Sequence, residues 1–148
     1  MQNLPHHYRV AANAAPEGDV SLSSEKLETL PSAPPQEFGG PGDRWSPETL
    51  LVATIADCFV LTFFRAIAKV SKLSWLSLRC DVEGTLERSE GQTKFTQFKA
   101  NATLDVPPDT DEQRAQRILG KAETSCLITN SLSATTHLNA VVVAKSLA

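Results

Sequence analysis

After Pro47 no glycine or proline interrupts the chain up to Lys72, and Leu50, Leu51, Val52, Ile55, Phe59, Val60, Leu61, Phe63, Phe64 and Ile67 fall on nearly every face of the helix this implies. At 1.5 Å per residue that helix would run about 39 Å. A compact monomer of this length is only about 38 Å across, from a radius of gyration of about 15 Å. A helix that spans the molecule and is apolar all round needs cover on two flanks. Its start is clearly written: Ser46 suits the N-cap, Pro47 the first helical position, and Glu48 the first turn, where an acid meets the positive end of the helix dipole.

The remaining segments supply sheet on one side. Strand candidates lie around "YRVAANA" and "DVSLSSEKLETL", joined at the turn-forming "PEGD". The following "LPSAPPQEFGGPGDRWSP" holds five of the nine prolines and three of the seven glycines, which predicts an ordered loop or edge strand leading into the helix. In "WLSLRCDVEGTLE" the residues Leu76, Leu78, Cys80, Val82 and Leu86 alternate with polar ones, and a turn at "SEGQ" returns the chain through "FKANATL" as a hairpin. Phe95 is out of phase with Phe98, Ala100, Ala102 and Leu104, which predicts a bulge near Thr96 and Gln97. Thr110 to Gln113 form a capping-box pattern, and Ala115, Ile118, Leu119 and Ala122 recur at helical spacing. That helix runs out at "ETSCLITNS", and "HLNAVVVAK" closes the chain as an apolar strand. Strands, long helix, hairpin, helix and strand indicate an α+β fold, read as one domain over residues 1–148. The second flank of the long helix is expected to be covered by a second copy in a symmetric homodimer.

Composition narrows the function. Fourteen Lys and Arg against 17 Asp and Glu give a net charge of -3 with no basic stripe, so nucleic acid is not an expected partner. The N-terminal "MQNLPHHYRV" lacks a signal-peptide pattern, and Asp57, Arg65 and Lys69 interrupt the longest apolar run, so a soluble cytoplasmic protein without a membrane partner is expected. His6, His7 and His137 have no metal-ligand spacing, and neither metal nor cofactor is expected. Three cysteines, Cys58, Cys80 and Cys126, are too few for a disulfide scaffold.

Taken alone, a cysteine in an apolar helix is a small hydrophobe by default, and Cys58 stays open between core filler and reagent. Cys80 lies on the inward register of a strand and reads as filler. Cys126 sits at a helix end among Thr124, Ser125, Thr129 and Asn130, a polar setting with backbone donors that can lower a thiol pKa. Spacing does not pair Cys58 with Cys126.

"FGGPGDRWSPETLL", then "ADCF", "CLITNS" and a final "VVV" strand resemble the osmotically inducible protein C and organic hydroperoxide resistance (OsmC/Ohr) superfamily, over residues 37–145. The most specific parts are the "SPE" helix start ten residues before Cys58 and a second cysteine 68 residues after it. The resemblance implies an intertwined homodimer with antiparallel sheets around a long central helix. It also implies a cysteine-based peroxidase that reduces organic hydroperoxides and is recycled by a dithiol reductant. Carried over, Cys58 is the peroxidatic cysteine, Cys126 the resolving one, and Glu48 the carboxylate that holds a thiolate-stabilising arginine. Trp45, Phe59 and Phe63 are candidate apolar lining for the substrate.

The family arginine is missing from both of its usual places, which here read "NAAPEGD" and Phe38, and Leu127 stands where a proline often follows the second cysteine. Arg44, four residues before Glu48, is the nearest substitute, and Arg9 is poorly placed. Arg65 shares the face of Cys58, but its backbone lies about 10.5 Å further along, as expected of a snorkelling surface residue. Glu48 and Cys58 are about 15 Å apart in rise and about 80° in azimuth, so Glu48 and Arg44 are expected to serve the Cys58 of the other chain. The alternative is a non-enzymatic stress or small-ligand-binding protein of the same fold that has lost the arginine.

Overall fold

The computed structural model describes residues 2–69 and 73–146, with the side chains of 67–69 excepted. The chain divides into two compact units, Met1–Leu50 and Leu51–Ala148.

The first unit contains a three-stranded antiparallel sheet in the order β1 (Ala11–Asn13), β2 (Val20–Ser23) and β3 (Leu30–Ser32). The strands are shorter than the sequence pattern implied, and the proline-rich segment does supply an edge strand. Pro31 sits in β3 without disrupting the sheet because an edge strand leaves half its backbone groups unpaired. A 3-10 turn at Gln36–Phe38 folds the loop back so tightly that a Cβ on Gly40 would lie 1.6 Å from the carbonyl oxygen of Pro34. Only glycine fits there. Helix α1 (Pro47–Lys69) then starts as expected, with the Ser46 hydroxyl accepting from the Thr49 N–H at 3.1 Å and the Thr49 hydroxyl accepting from the Ser46 N–H at 2.8 Å. This is a capping box with threonine in the reciprocal position.

The second unit carries the rest of α1 and a sheet in the order β4 (Ser77–Ser89), β5 (Gln92–Val106) and β6 (Thr135–Ala144). Glu90 and Gly91 join β4 to β5 with φ of 53° and 79°, the two-residue turn whose twist matches the strands. The bulge falls where the phase break placed it: Thr85 pairs with Gln97 and Leu86 with Phe95, leaving Thr96 as the extra residue. Beyond it Phe98, Ala100, Ala102, Leu104 and Val106 all face the core. Strand β6 runs parallel to β5, so this sheet is mixed rather than antiparallel throughout; the intervening α2 (Glu112–Thr124) supplies the crossover that parallel pairing requires.

Helix α2 is capped by Asp111, one residue later than the capping-box pattern predicted, with the Asp111 carboxylate accepting from the Arg114 N–H at 3.0 Å. Its buried stripe of Ala115, Ile118, Leu119 and Ala122 joins Phe59, Phe63, Ala102, Leu104 and Val106 in one core. A single helical turn, α3 (Leu127–Asn130), follows directly.

Helix α1 is described as far as Lys69, and the expected extension to residue 72 lies outside the described residues. Its stretch Pro47–Ala66, with mean hydropathy 1.7, is long and apolar enough to cross a membrane by length and composition, so Asp57 and Arg65 do not interrupt it enough to exclude that. A core helix passes the same test, and this one sends Ile55, Phe59 and Phe63 into the core. On the opposite face Leu61 and Phe64 remain 49% and 42% exposed.

Candidate active site

The buried stripe of α1 sets the direction of Cys58. Ile55, Phe59 and Phe63 point inward, and Cys58 lies at the edge of that stripe, half-buried and facing the junction between α2 and α3. Cys126 occupies the junction as the N-cap of α3, itself 1% exposed. It is held by its own backbone: its N–H donates to the Glu123 carbonyl at 3.3 Å, and its carbonyl accepts from the Asn130 N–H at 3.1 Å and the Thr129 hydroxyl at 3.0 Å. The two cysteines, 68 residues apart in sequence, therefore lie near each other within one chain, close enough for the Cys126 side chain to lower the Cys58 pKa.

Four donors converge on Cys58. Burial is the largest single influence on the thiol and pushes its pKa up. Against it act the backbone N–H of Ile128, the Cys126 thiol, the Thr62 hydroxyl and the backbone N–H of Leu127. The net effect lowers the pKa below its ordinary value, because hydrogen bonds to a charged acceptor contribute on the order of 1.5–3 kcal/mol each and the thiol is only partly desolvated. The Leu127 and Ile128 N–H groups are available because the first turn of any helix leaves its amides without internal partners. Thr62, buried at 5% exposure, places Oγ1 3.9 Å from Cys58 Sγ. Cys80 shows the contrast: burial, with the charges of Asp81 and Cys126 as lesser causes, pushes its pKa up to about 11.

The remaining candidates are distributed more widely. Phe59 lines a cavity of about 350 Å³ that reaches Cys126, with Ile55, Ala100 and Leu138 as apolar wall and Thr129, Asn130 and Thr136 as polar rim. Phe63 is wholly buried and packs edge-on against Trp75 at 5.5 Å, a core position. Arg44 and Trp45 belong to the first unit and line a shallower hollow with Asp19 and Pro31. Arg44 is engaged by Asp19 at 2.7 Å and Asp43 at 3.2 Å. Glu48 has one buried carboxylate oxygen, Oε2, with no hydrogen-bond partner among the described residues. Arg65, read from sequence as a snorkelling surface group, is exposed, yet its Nη2 folds back to donate to Thr62 Oγ1 at 3.2 Å.

Sequence reading missed α3 and the Thr62–Arg65 contact. The only trace of the latter was a hydroxyl four residues after Cys58 in an otherwise apolar run.

Residues 40–140 match the model of the OsmC-like protein family. The chain belongs to that family. Among curated proteins it is 27% identical over 138 residues to the uncharacterized protein YmaD of Bacillus subtilis, covering 90% of this chain and 91% of that one. An OsmC-like protein of unknown function from Vibrio cholerae superposes with a TM-score of 0.83 at 15% identity, covering 92% of this chain and 99% of the other. An organic hydroperoxide resistance protein from Legionella pneumophila superposes with a TM-score of 0.71 at 23% identity, covering 95% and 98%. These likenesses establish an OsmC-like α+β fold.

The thiol environments predict an order of reactivity in this OsmC-like chain. With iodoacetamide and peptide mass spectrometry across pH, Cys58 is expected to reach its alkylation plateau at lower pH than an ordinary thiol, because its pKa is depressed. Cys80 should still be accelerating towards about pH 11. A Cys58 profile no lower than that of Cys80 would contradict the donor arrangement.

Proposed function

We propose that this protein is a thiol-dependent peroxidase that reduces organic hydroperoxides to alcohols. The observation that carries the reading is the placement of Cys126, at the start of α3, near enough to Cys58 in one chain to lower its pKa together with the surrounding donors. The Cys58 thiolate attacks the distal oxygen of R–O–O–H; the S–O bond forms as the O–O bond breaks, and the departing alkoxide takes up a proton to leave as alcohol. Cys58 is then a sulfenic acid. The Cys126 sulfur attacks the sulfenic sulfur as its own proton passes to the departing hydroxyl, so that water leaves and a Cys58–Cys126 disulfide results. An external dithiol returns both cysteines to thiols by exchange and is itself oxidised to a disulfide. No metal or organic cofactor enters this cycle.

The apolar wall of the cavity beside Cys126 supports an organic rather than an aqueous peroxide as substrate, since a hydrophobic R group gains by leaving water there. Phe59 is the lining residue this assigns. Trp45 has a part only if the first unit contributes to the site. Cys126 has little exposure, which suits a resolving thiol that acts on its neighbour.

The working form is proposed to be a homodimer. Leu61 and Phe64 leave the outer face of α1 apolar and exposed, the surface that a second copy would cover. The orphan oxygen of Glu48 supports the same reading. A buried acceptor without a donor costs about 1–3 kcal/mol, which a guanidinium reaching it in the assembled dimer would offset. Arg44 can play that part only by leaving Asp19 and Asp43.

Cys58→Ser should abolish reduction of cumene hydroperoxide coupled to dithiothreitol, whereas wild type should turn it over faster than hydrogen peroxide. Cys126→Ser should complete one turnover and then lose activity as Cys58 takes up further oxygen, visible as added mass on the intact chain. Sustained turnover by Cys58→Ser would end the peroxidase reading. Sedimentation at micromolar concentration should show a dimer; a folded monomer there would refute the assembly.

A further inference from the structure

Cys58, Thr62 and Arg65 stand at i, i+4 and i+7 on α1, which puts them along one edge of the helix. The buried Thr62 hydroxyl touches the other two: Arg65 Nη2 donates to Oγ1 at 3.2 Å, and Oγ1 lies 3.9 Å from Cys58 Sγ. A guanidinium can only donate, so it takes a lone pair of the hydroxyl and leaves the single O–H proton for the sulfur. On the same helix Thr54 gives its hydroxyl proton to the Leu51 carbonyl at 2.7 Å, the usual course for a helical threonine. Thr62 departs from that course. A hydroxyl held as donor favours thiolate, which can only accept, over thiol.

The charge of Arg65 acts in the same direction. The two contacts keep its Nη2 within about 7 Å of Sγ, inside the Debye length of about 8 Å at physiological salt. Arg44 and Arg79 are each engaged by aspartates, but Arg65 has no ion pair among the described residues. Its side chain leans towards the helix N-terminus, as long helical side chains do, and this closes the distance that backbone spacing opens. The other ionisable groups around the sulfur do not replace it. Asp57 is exposed and about 100° round the helix, and Glu123 lines the neighbouring cavity; both are acids, which could only disfavour a thiolate. The strands packed there present Ala100 and Leu138, and Cys80 stays neutral until about pH 11.

We propose that Arg65, acting through Thr62, is the positioning residue that supports the Cys58 thiolate in this chain, in place of the arginine that neither "NAAPEGD" nor Phe38 provides. Its effect on turnover rests on the peroxidase reading; its effect on the ionisation of Cys58 does not.

The test is the pH midpoint of Cys58 alkylation, followed by peptide mass spectrometry in Arg65→Gln, Arg65→Lys, Thr62→Val and the double variant Thr62→Val/Arg65→Gln. Arg65→Gln should raise the midpoint by about half a unit to one unit at low salt. That shift should shrink as salt rises, and lysine should restore most of it, because the charge is kept. In the Thr62→Val background Arg65→Gln should add much less than it does alone, since the hydroxyl transmits the effect. With cumene hydroperoxide, kcat/KM at neutral pH should fall by about 3- to 10-fold in Arg65→Gln and recover at alkaline pH, where thiolate is saturated. An unmoved midpoint in Arg65→Gln overturns the proposal, and additive effects of the two substitutions overturn the part assigned to Thr62. A shifted midpoint in a protein whose wild type never turns over peroxide supports the role of Arg65 and refutes the peroxidase reading instead.

Discussion

Ile55, Phe59 and Phe63 are 1%, 4% and 0% exposed, and the stripe they form fixes the azimuth of every other side chain on α1. Once Phe59 and Phe63 are seated against Ala102, Leu104 and the Ala115–Ala122 face of α2, with Ile55 buried beside them, Cys58 has one direction left, towards the α2–α3 junction. The same core holds α2 and so delivers Cys126 to that point. Apolar burial, worth about 1.5–3 kcal/mol for each large side chain, thus positions both cysteines. A slip of one residue along α1 would turn Cys58 by about 100° and separate the pair.

With the pair in place, the ionisation of Cys58 is set by hydrogen-bond donors acting against burial. The amides of Leu127 and Ile128 exist as donors only because α3 begins directly after Cys126, so one short turn both holds the second cysteine and conditions the first. Thr62 adds a hydroxyl that Arg65 also contacts. Cys80 is as much a cysteine as Cys58 but faces burial without those donors, and its pKa goes the other way. Environment, not residue type, separates the two thiols.

Much of this was legible in the chain. Ser46, Pro47 and Glu48 announced α1 because capping chemistry is local, and the phase break at Phe95 announced the Thr96 bulge because strand alternation has period two. The cap of α2 was misplaced by one residue because Thr110 and Asp111 are both acceptors, and only the backbone chooses between them. Helix α3 has four residues, too few for any periodicity to register. The Arg65 contact was hidden for a different reason: rise along the helix measures backbone separation, while a long side chain can reach back a full turn. The OsmC-like fold was evident from its motifs, whereas the nearness of Cys126 to Cys58 is a tertiary feature that spacing does not contain.

The central claim is that Cys58 and Cys126 of one chain form a single redox pair. It is tested most directly by treating the fully reduced protein with one equivalent of organic hydroperoxide, quenching free thiols, and mapping the non-reduced peptides. The account predicts a Cys58–Cys126 disulfide within a single chain, shown by mixing isotopically light and heavy protein, with Cys80 recovered as a blocked thiol. A disulfide that joins light to heavy chains, a bond involving Cys80, or recovery of all three cysteines as thiols would contradict it.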